Sequence, residues 1–237
     1  MALLLPRVDS VSEDGRRKIK SFVLRRSRLT PVQKEALDLY SDQYVLPFSE
    51  EELDFSQVFG NQNPVIMEIG FGMGHSTERI ASQMPLTNFV AIEVFINGFT
   101  KLLSKVGRKE IQNIRLIRFD AVEVLQTMIK DTSISGFHIF FPDPWPKKKH
   151  HKRRLIQAEF AQLLARKLAP GGYVYCVTDW EEYAYQMLDT FASVSTLVNP
   201  HGGFAPRHSW RPTTNFERKG LDKKHIINEI WVEKSRE

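Results

Sequence analysis

The 237-residue sequence contains one cysteine, Cys176, which excludes an internal disulfide and a cysteine-rich metal site. It lies in the apolar run YVYCV, where core packing is its expected role, since free cysteine is among the most buried residue types. No apolar stretch approaches the roughly 18 residues that span a bilayer, so no membrane partner is expected. The opening MALLL is too short for a signal core, lacks a basic leader and runs straight into RVDSVSEDGRRK, which points to a cytoplasmic protein. There is no HExxH pattern, internal repeat or low-complexity segment, and no metal is expected. The adjacent His150 and His151 point in different directions on an extended chain and make a poor ligand pair.

Positive charge is abundant and clustered. The formal net charge is +5, and the basic residues gather in GRRKIKSFVLRRSR, in KKKHHKRR and in RHSWRPTTNFERKGLDKK. Three such patches suit a polyanionic partner if the fold brings them onto one surface.

Residues 1–32 read as a basic, mobile N-terminal arm, and 33–237 as a single domain. Pro31 is placed to begin a helix through VQKEALDLY. From Pro64 onward, the strand candidates VIMEI, NFVAIEV, IRLIRF, GFHIFF and GYVYCVT alternate with segments of helical period. These segments are STERIASQM, INGFTKLLSKVGRK, AVEVLQTMI and LIQAEFAQLLARKLAPGG, the last with its stop at Pro170-Gly171-Gly172. That alternation predicts an α/β, Rossmann-like fold with a mostly parallel central sheet and helices on both faces. A further helix is expected in EEYAYQMLDTFA, a closing strand in HIINEIWVEK, and a long functional loop over 199–224.

MEIGFGMGHS places Gly70, Gly72 and Gly74 between the first strand and a helix, where backbone can approach a ligand closely. Glu93 ends the second strand about 20 residues on, the spacing at which a carboxylate holds a ribose hydroxyl. A nicotinamide dinucleotide would bring its pyrophosphate against Glu68 at the loop's start; at about 5 Å and an effective dielectric near 20 the repulsion is about 3 kcal/mol. S-adenosyl-L-methionine brings an ammonium and a sulfonium instead, which an acid attracts. Asp120 follows the third strand, suitably placed to accept from an adenine amino group. In the alternative reading Glu68 and Asp120 cap the helices after them. His75 reads as a helix-start residue.

The fourth strand delivers Pro142, Asp143, Pro144, Trp145 and Pro146 to the sheet edge where ligands bind in open parallel sheets. Prolines fix φ and bias the residues before them toward extended backbone, which would hold Asp143 and Trp145 in place. Trp145 has two roles open to it, stacking on a base or packing.

With EIGFGMG, FPDPWPKKKHHKRR and RPTTNFERKG, the chain resembles the bacterial tRNA (guanine-N7-)-methyltransferases, class I S-adenosylmethionine-dependent enzymes that modify the tRNA variable loop. The resemblance runs from RSRLTPVQKEAL almost to the C-terminus, without departure at the key positions. It implies that Glu68, Glu93, Asp120 and Asp143 line the methyl-donor site with the three glycines, Asp143 also being catalytic. It further implies that Lys147, Asp179, Thr214, Asn215, Phe216 and Glu217 contact the target nucleoside. Lys149, His150, His151, Lys152, Arg153 and Arg154 would contact the tRNA. From the residues alone, Asp179 is equally an N-cap for the helix after it, and TTNFE an ordinary polar loop. Rival readings are an amino-group methyltransferase, suggested by DPW, a non-catalytic RNA-binding protein with a vestigial pocket, and a nicotinamide oxidoreductase. A monomer is expected, with a dimer as the alternative.

Overall fold

A computed structural model describes residues 20–23 and 28–236. Of the arm expected over 1–32, positions 1–19 and 24–27 lie outside the described residues. The five strand candidates all form. β1 (Val65–Ile69), β2 (Asn88–Ile92), β3 (Ile114–Ile117), β4 (Ile134–Phe140) and β5 (Leu168–Thr178) are parallel, and β7 (Asn228–Lys234) runs antiparallel to β5. A two-residue β6 (Leu197–Val198) completes the order β3-β2-β1-β4-β5-β7-β6. β1 and β2 are buried at every position because helices cover both faces, which is why they are mostly apolar, with Glu68 and Asn88 as the buried exceptions. The chain builds outward from β1 to β3 and then returns to β4, so the strand order reverses between β1 and β4. At such a switch point a crevice opens outside the carboxyl ends of the strands.

On one face lie α1 (Pro31–Tyr44), α3 (His75–Gln83) and α4 (Ile96–Arg108). α1 starts at the anticipated Pro31 because Thr30 forms a capping box: its hydroxyl accepts from Gln33 N, and Gln33 accepts from Thr30 N at 2.9 Å. In α4 the fully buried Phe99, Leu102, Leu103 and Val106 each contribute about 1.5–3 kcal/mol of burial. The other face carries α5 (Ala121–Thr127), α6 (Ala158–Lys167) and α7 (Glu181–Ala192), whose Val124, Leu164 and Met187 enter a second core with Cys176. Residues 205–211 cover β4 and β5 on the first face, with Trp210 stacked on His138 at 5.0 Å. Among the described residues, no helix is long and apolar enough to cross a membrane.

Two expectations change, and one element is added. The helix expected to end at Pro170-Gly171-Gly172 stops at Lys167, and those residues belong to β5 instead. There they take up a slip in pairing, from Ile134 opposite Leu168 to Gly136 opposite Tyr173, which Gly171 permits at φ +76°. The presumed loop 199–224 contains a helix, α8 (Asn215–Asp222), started by a second capping box between Thr214 and Glu217. The short α2 (Phe55–Phe59), capped by Asp54, had no periodic signal.

Candidate active site

The loop after β1 turns through Gly70, Gly72 and Gly74, all at positive φ. Gly74 is doubly constrained, because a Cβ there would lie 2.6 Å from Leu102. The loop is tied down by Glu93, whose carboxylate accepts from Gly72 N at 2.7 Å and from Val94 N and Phe95 N at 2.8 and 3.0 Å. Gly98 seats it from the other side: a Cβ on that residue would fall 2.0 Å from the Gly72 carbonyl oxygen. Beneath this loop lies a cavity of about 290 Å³ lined by Glu68, Glu93, Asp120 and Asp143 as well as the three glycines. All the residues expected to hold a cofactor therefore meet in one place.

The lining is strongly acidic. Glu68 is buried inside β1, so it caps no helix, and burial pushes its carboxyl up to about 7, with Glu93 adding to the effect. Glu93 is also raised, first by burial and to a smaller extent by Asp143, against the pull of its three backbone donors. Among the described residues, no lysine or arginine forms an ion pair with Glu68 or Glu93. Two buried acids lacking a protein cation suit a cationic ligand. Asp120 does cap α5, accepting from Val122 N at 2.9 Å, yet it faces the cavity as well. Its other oxygen accepts from Lys20 at 2.7 Å, and Lys20 also reaches Glu123.

Beyond β4 the chain does not simply extend. Phe141 and Trp145, each preceding a proline, have φ of +53° and +45° instead of the extended values expected there. The geometry is stabilised by tertiary contacts. Trp145 Nε1 donates to the Ser21 carbonyl at 3.1 Å, and the Arg153 guanidinium lies 4.0 Å from the indole centroid. Arg153 also donates to the carbonyls of Lys20 and Phe22, both at 3.1 Å. Trp145 is thus engaged in packing against residues 20–22, the outcome that the sequence left open.

Lys148–Arg153 form a 3-10 helix, not an extended run. Its N-cap Lys147 and, on it, Lys149 and Lys152 are exposed, with His150 and His151 partly so. Arg154 departs from expectation: it is 2 % exposed, its Nε donating to the Pro144 carbonyl at 2.8 Å and its Nη1 to Gln186 at 2.5 Å. It braces the proline loop against α7, with its guanidinium directed into the protein.

Asp179, past the end of β5, caps nothing; Trp180 is the N-cap of α7, and Asp179 Oδ2 lies 3.1 Å from His225 Nδ1. Thr214 and Phe216 line the cavity, the latter exposed and stacked on Phe141 at 6.5 Å. Glu217 does not face the site. It is 2 % exposed and accepts from Arg211 Nη1 and Nη2 at 2.7 and 3.0 Å, while also pairing with Arg207. Arg211 is itself buried and bridges to Glu229 of β7 at 2.6 Å and to the Tyr175 hydroxyl at 3.1 Å. Its hold on Glu217 draws that residue inward, where it completes the cap on Thr214.

Residues 62–230 match the model of a family described as a putative methyltransferase. The tRNA (guanine-N(7)-)-methyltransferase of Bordetella pertussis is 46% identical over 221 residues, covering 93% of this chain and 87% of its own length. That of Paraburkholderia xenovorans is 48% identical, covering 92% and 84%. The chain belongs to the tRNA (guanine-N(7)-)-methyltransferase family. Among solved structures, the 16S rRNA methyltransferase KamB superposes with a TM-score of 0.55 at 14% identity, covering 81% of this chain and 99% of KamB. This similarity shows the Rossmann-like class I methyltransferase fold.

For a member of this family, two parts of the site were invisible to sequence reading. Gly98 sits in an ordinary helical segment, and only the approach of Gly72 makes it necessary. Residues 20–22 lie in a basic arm without periodicity, and Ser21 and Phe22 line the cavity more than 45 positions before its first strand residue, Glu68. Arg211 carried a faint signal as a charged residue ahead of a proline and a capping box.

Proposed function

We propose that this chain transfers a methyl group from S-adenosyl-L-methionine to N7 of a guanosine in the variable loop of tRNA, in the cytoplasm. The observation that carries the reading is the acid-lined cavity at the β1/β4 switch point, whose two buried carboxylates lack a protein cation. When bound, S-adenosylmethionine supplies an electrophilic methyl group on a sulfonium. Glu68 favours its positive charge, Glu93 and Asp120 would hold its ribose hydroxyls and adenine amino group, and the glycine loop admits close backbone approach.

Guanine N7 offers a lone pair on the major-groove edge and loses no proton when it attacks, so the site needs no strong base. Positive charge develops on the purine instead, and Asp143, at the mouth of the cavity beside Glu93, favours that charge electrostatically. In a continuous A-form helix N7 lies in a groove that side chains do not enter, so the guanosine must be looped or turned out. Thr214 and Phe216, which line the cavity, meet it there, and Lys147 and Asp179 complete its contacts in this reading. Lys149, His150, His151 and Lys152 then contact the flanking phosphates. Arg153 joins them only after giving up residues 20–22, whereas Arg154 and Glu217 support the site from beneath.

The test is incubation with unmodified tRNA and labelled methyl donor, followed by nucleoside mapping. N7-methylguanosine in the variable loop is expected; N6-methyladenosine, or no product despite donor binding, refutes the proposal. Asp143→Asn should lower turnover more than RNA affinity, and unchanged turnover at full donor saturation removes its catalytic role.

A further inference from the structure

The basic 3-10 helix serves one side of the cavity, leading through Leu155 and Ile156 to the core beneath α5, α6 and α7. The opposite side, where α3 and α4 pack, carries cations of its own. On α4 and its C-cap, Lys101, Lys105 and Lys109 follow one another at four-residue spacing, which costs helix stability through like-charge repulsion. Glu78 of α3 offsets the row, with its Oε1 bonded to Lys109 at 2.7 Å. Lys105 Nζ lies 2.7 Å from Nδ1 of His75, the first residue of α3. Partial burial, and then Lys105, Lys101 and Arg218, hold this imidazole below its usual range against the pull of Glu78. Burial lowers Lys105 too, with Lys101 and Lys109 adding to that and Glu78 opposing. Two elements, α4 and α8, have therefore brought cations around a neutral ring on a third, α3, which offsets none of their charge.

Their location gives the cluster a meaning. His75 lines the cavity, and Arg218 stands one helical turn beyond Thr214, which also lines it. The gathered charge borders the cavity on the face of the sheet opposite the 3-10 helix. Phosphodiesters are the ligands that would relieve such repulsion while passing over the mouth of the site.

We propose that Lys101, Lys105 and Arg218, assembled around His75, form a second phosphate-binding rim, so that the RNA backbone is gripped on both sides of the cavity. The proposal rests on the reading of this chain as an RNA methyltransferase. It divides the work between the rims: each fixes the strand on one flank of the guanosine, and the base enters between them.

The test compares Lys101→Gln/Lys105→Gln with the charge-matched Lys34→Gln/Lys130→Gln, using the full chain and unmodified tRNA. Binding measured across a salt series should show the slope of log affinity against log salt falling by roughly 1.4–1.8 for the first pair, at about 0.7–0.9 per lost phosphate contact. The Michaelis constant for tRNA should rise in step, while methyl-donor affinity by calorimetry stays within about twofold, which also reports an intact fold. A slope equal to that of the wild type, or a fall matched by Lys34→Gln/Lys130→Gln, overturns the second rim. In that case, flattening by Lys149→Gln/Lys152→Gln would leave the RNA methyltransferase reading standing. A wild-type chain that neither binds nor methylates tRNA overturns both.

Discussion

Replacing Glu68 by Gln should stabilise the ligand-free protein and weaken it as an enzyme. Burial pushes the Glu68 carboxyl up to about 7 from its ordinary 4.5. The folded chain therefore binds this proton more tightly than the unfolded chain does. The corresponding stability is fully present below pH 4.5 and is lost as pH rises through 7. The gap amounts to about 3 kcal/mol, the cost of holding an ionised carboxylate in that position without a cation. Gln carries no such cost, so Glu68→Gln should gain up to about 3 kcal/mol at pH 8. For a domain of this size that is about 6–12 °C in melting temperature, and the difference should close below pH 4.5. A cationic methyl donor reverses the balance by drawing Glu68 into its charged form. Wild-type affinity for S-adenosylmethionine should rise more than tenfold from pH 5.5 to 7, with close to one proton released per donor bound at pH 5.5. Glu68→Gln should bind more weakly, without this pH dependence. Thermal melts at pH 4.5 and 8, with calorimetry in two buffers of different ionisation enthalpy, measure both effects. A variant that melts lower at pH 8, together with a flat wild-type affinity between pH 5.5 and 7, would refute the reasoning.

Arg211→Leu leaves Glu217 and Glu229 buried without their shared guanidinium and should cost about 3–5 kcal/mol, read as a lower urea midpoint; a shift below 1 kcal/mol would show that Arg207 suffices. Gly98→Ala sets a Cβ against the Gly72 carbonyl at 2.0 Å, and because backbone must yield, donor affinity should drop at least about tenfold. Full affinity in calorimetry would mean that the glycine loop tolerates the shift. Arg154→Ala should destabilise the fold by about 3 kcal/mol through its lost bonds to Pro144 and Gln186, while leaving the salt dependence of tRNA binding as it is. A flattened slope would return Arg154 to the RNA surface.

The parallel core was legible because its strands are buried on both faces, and VIMEI and NFVAIEV stand out as short runs rich in β-branched and other apolar residues. The glycine loop and its acids were legible because a loop between one strand and the next helix fixes where its residues lie. Reading failed where position along the chain says little about contact. KKKHHKRR appears as a uniform charge run, yet the 3-10 turn exposes Lys149 and Lys152 while burying Arg154 against α7. TTNFE reads as one polar loop, but its capping box starts a helix that leaves Thr214 and Phe216 at the cavity and turns Glu217 toward Arg211. Trp145 was undecided for the same reason, since its partner, Ser21, lies 124 residues away.

By itself, the sequence determined the sheet, its helical layers and the cluster of acids at the switch point, because hydrophobic period and local turn chemistry act over a few residues. Tertiary structure alone decided which charges face a ligand and which are spent inside. Burial and pairing are set by residues far apart in the chain: Arg211 reaches Glu229, Gly98 makes room for Gly72, and Lys105 meets His75. The same guanidinium or carboxylate is a binding group in water and a structural brace in the interior, and only packing distinguishes the two.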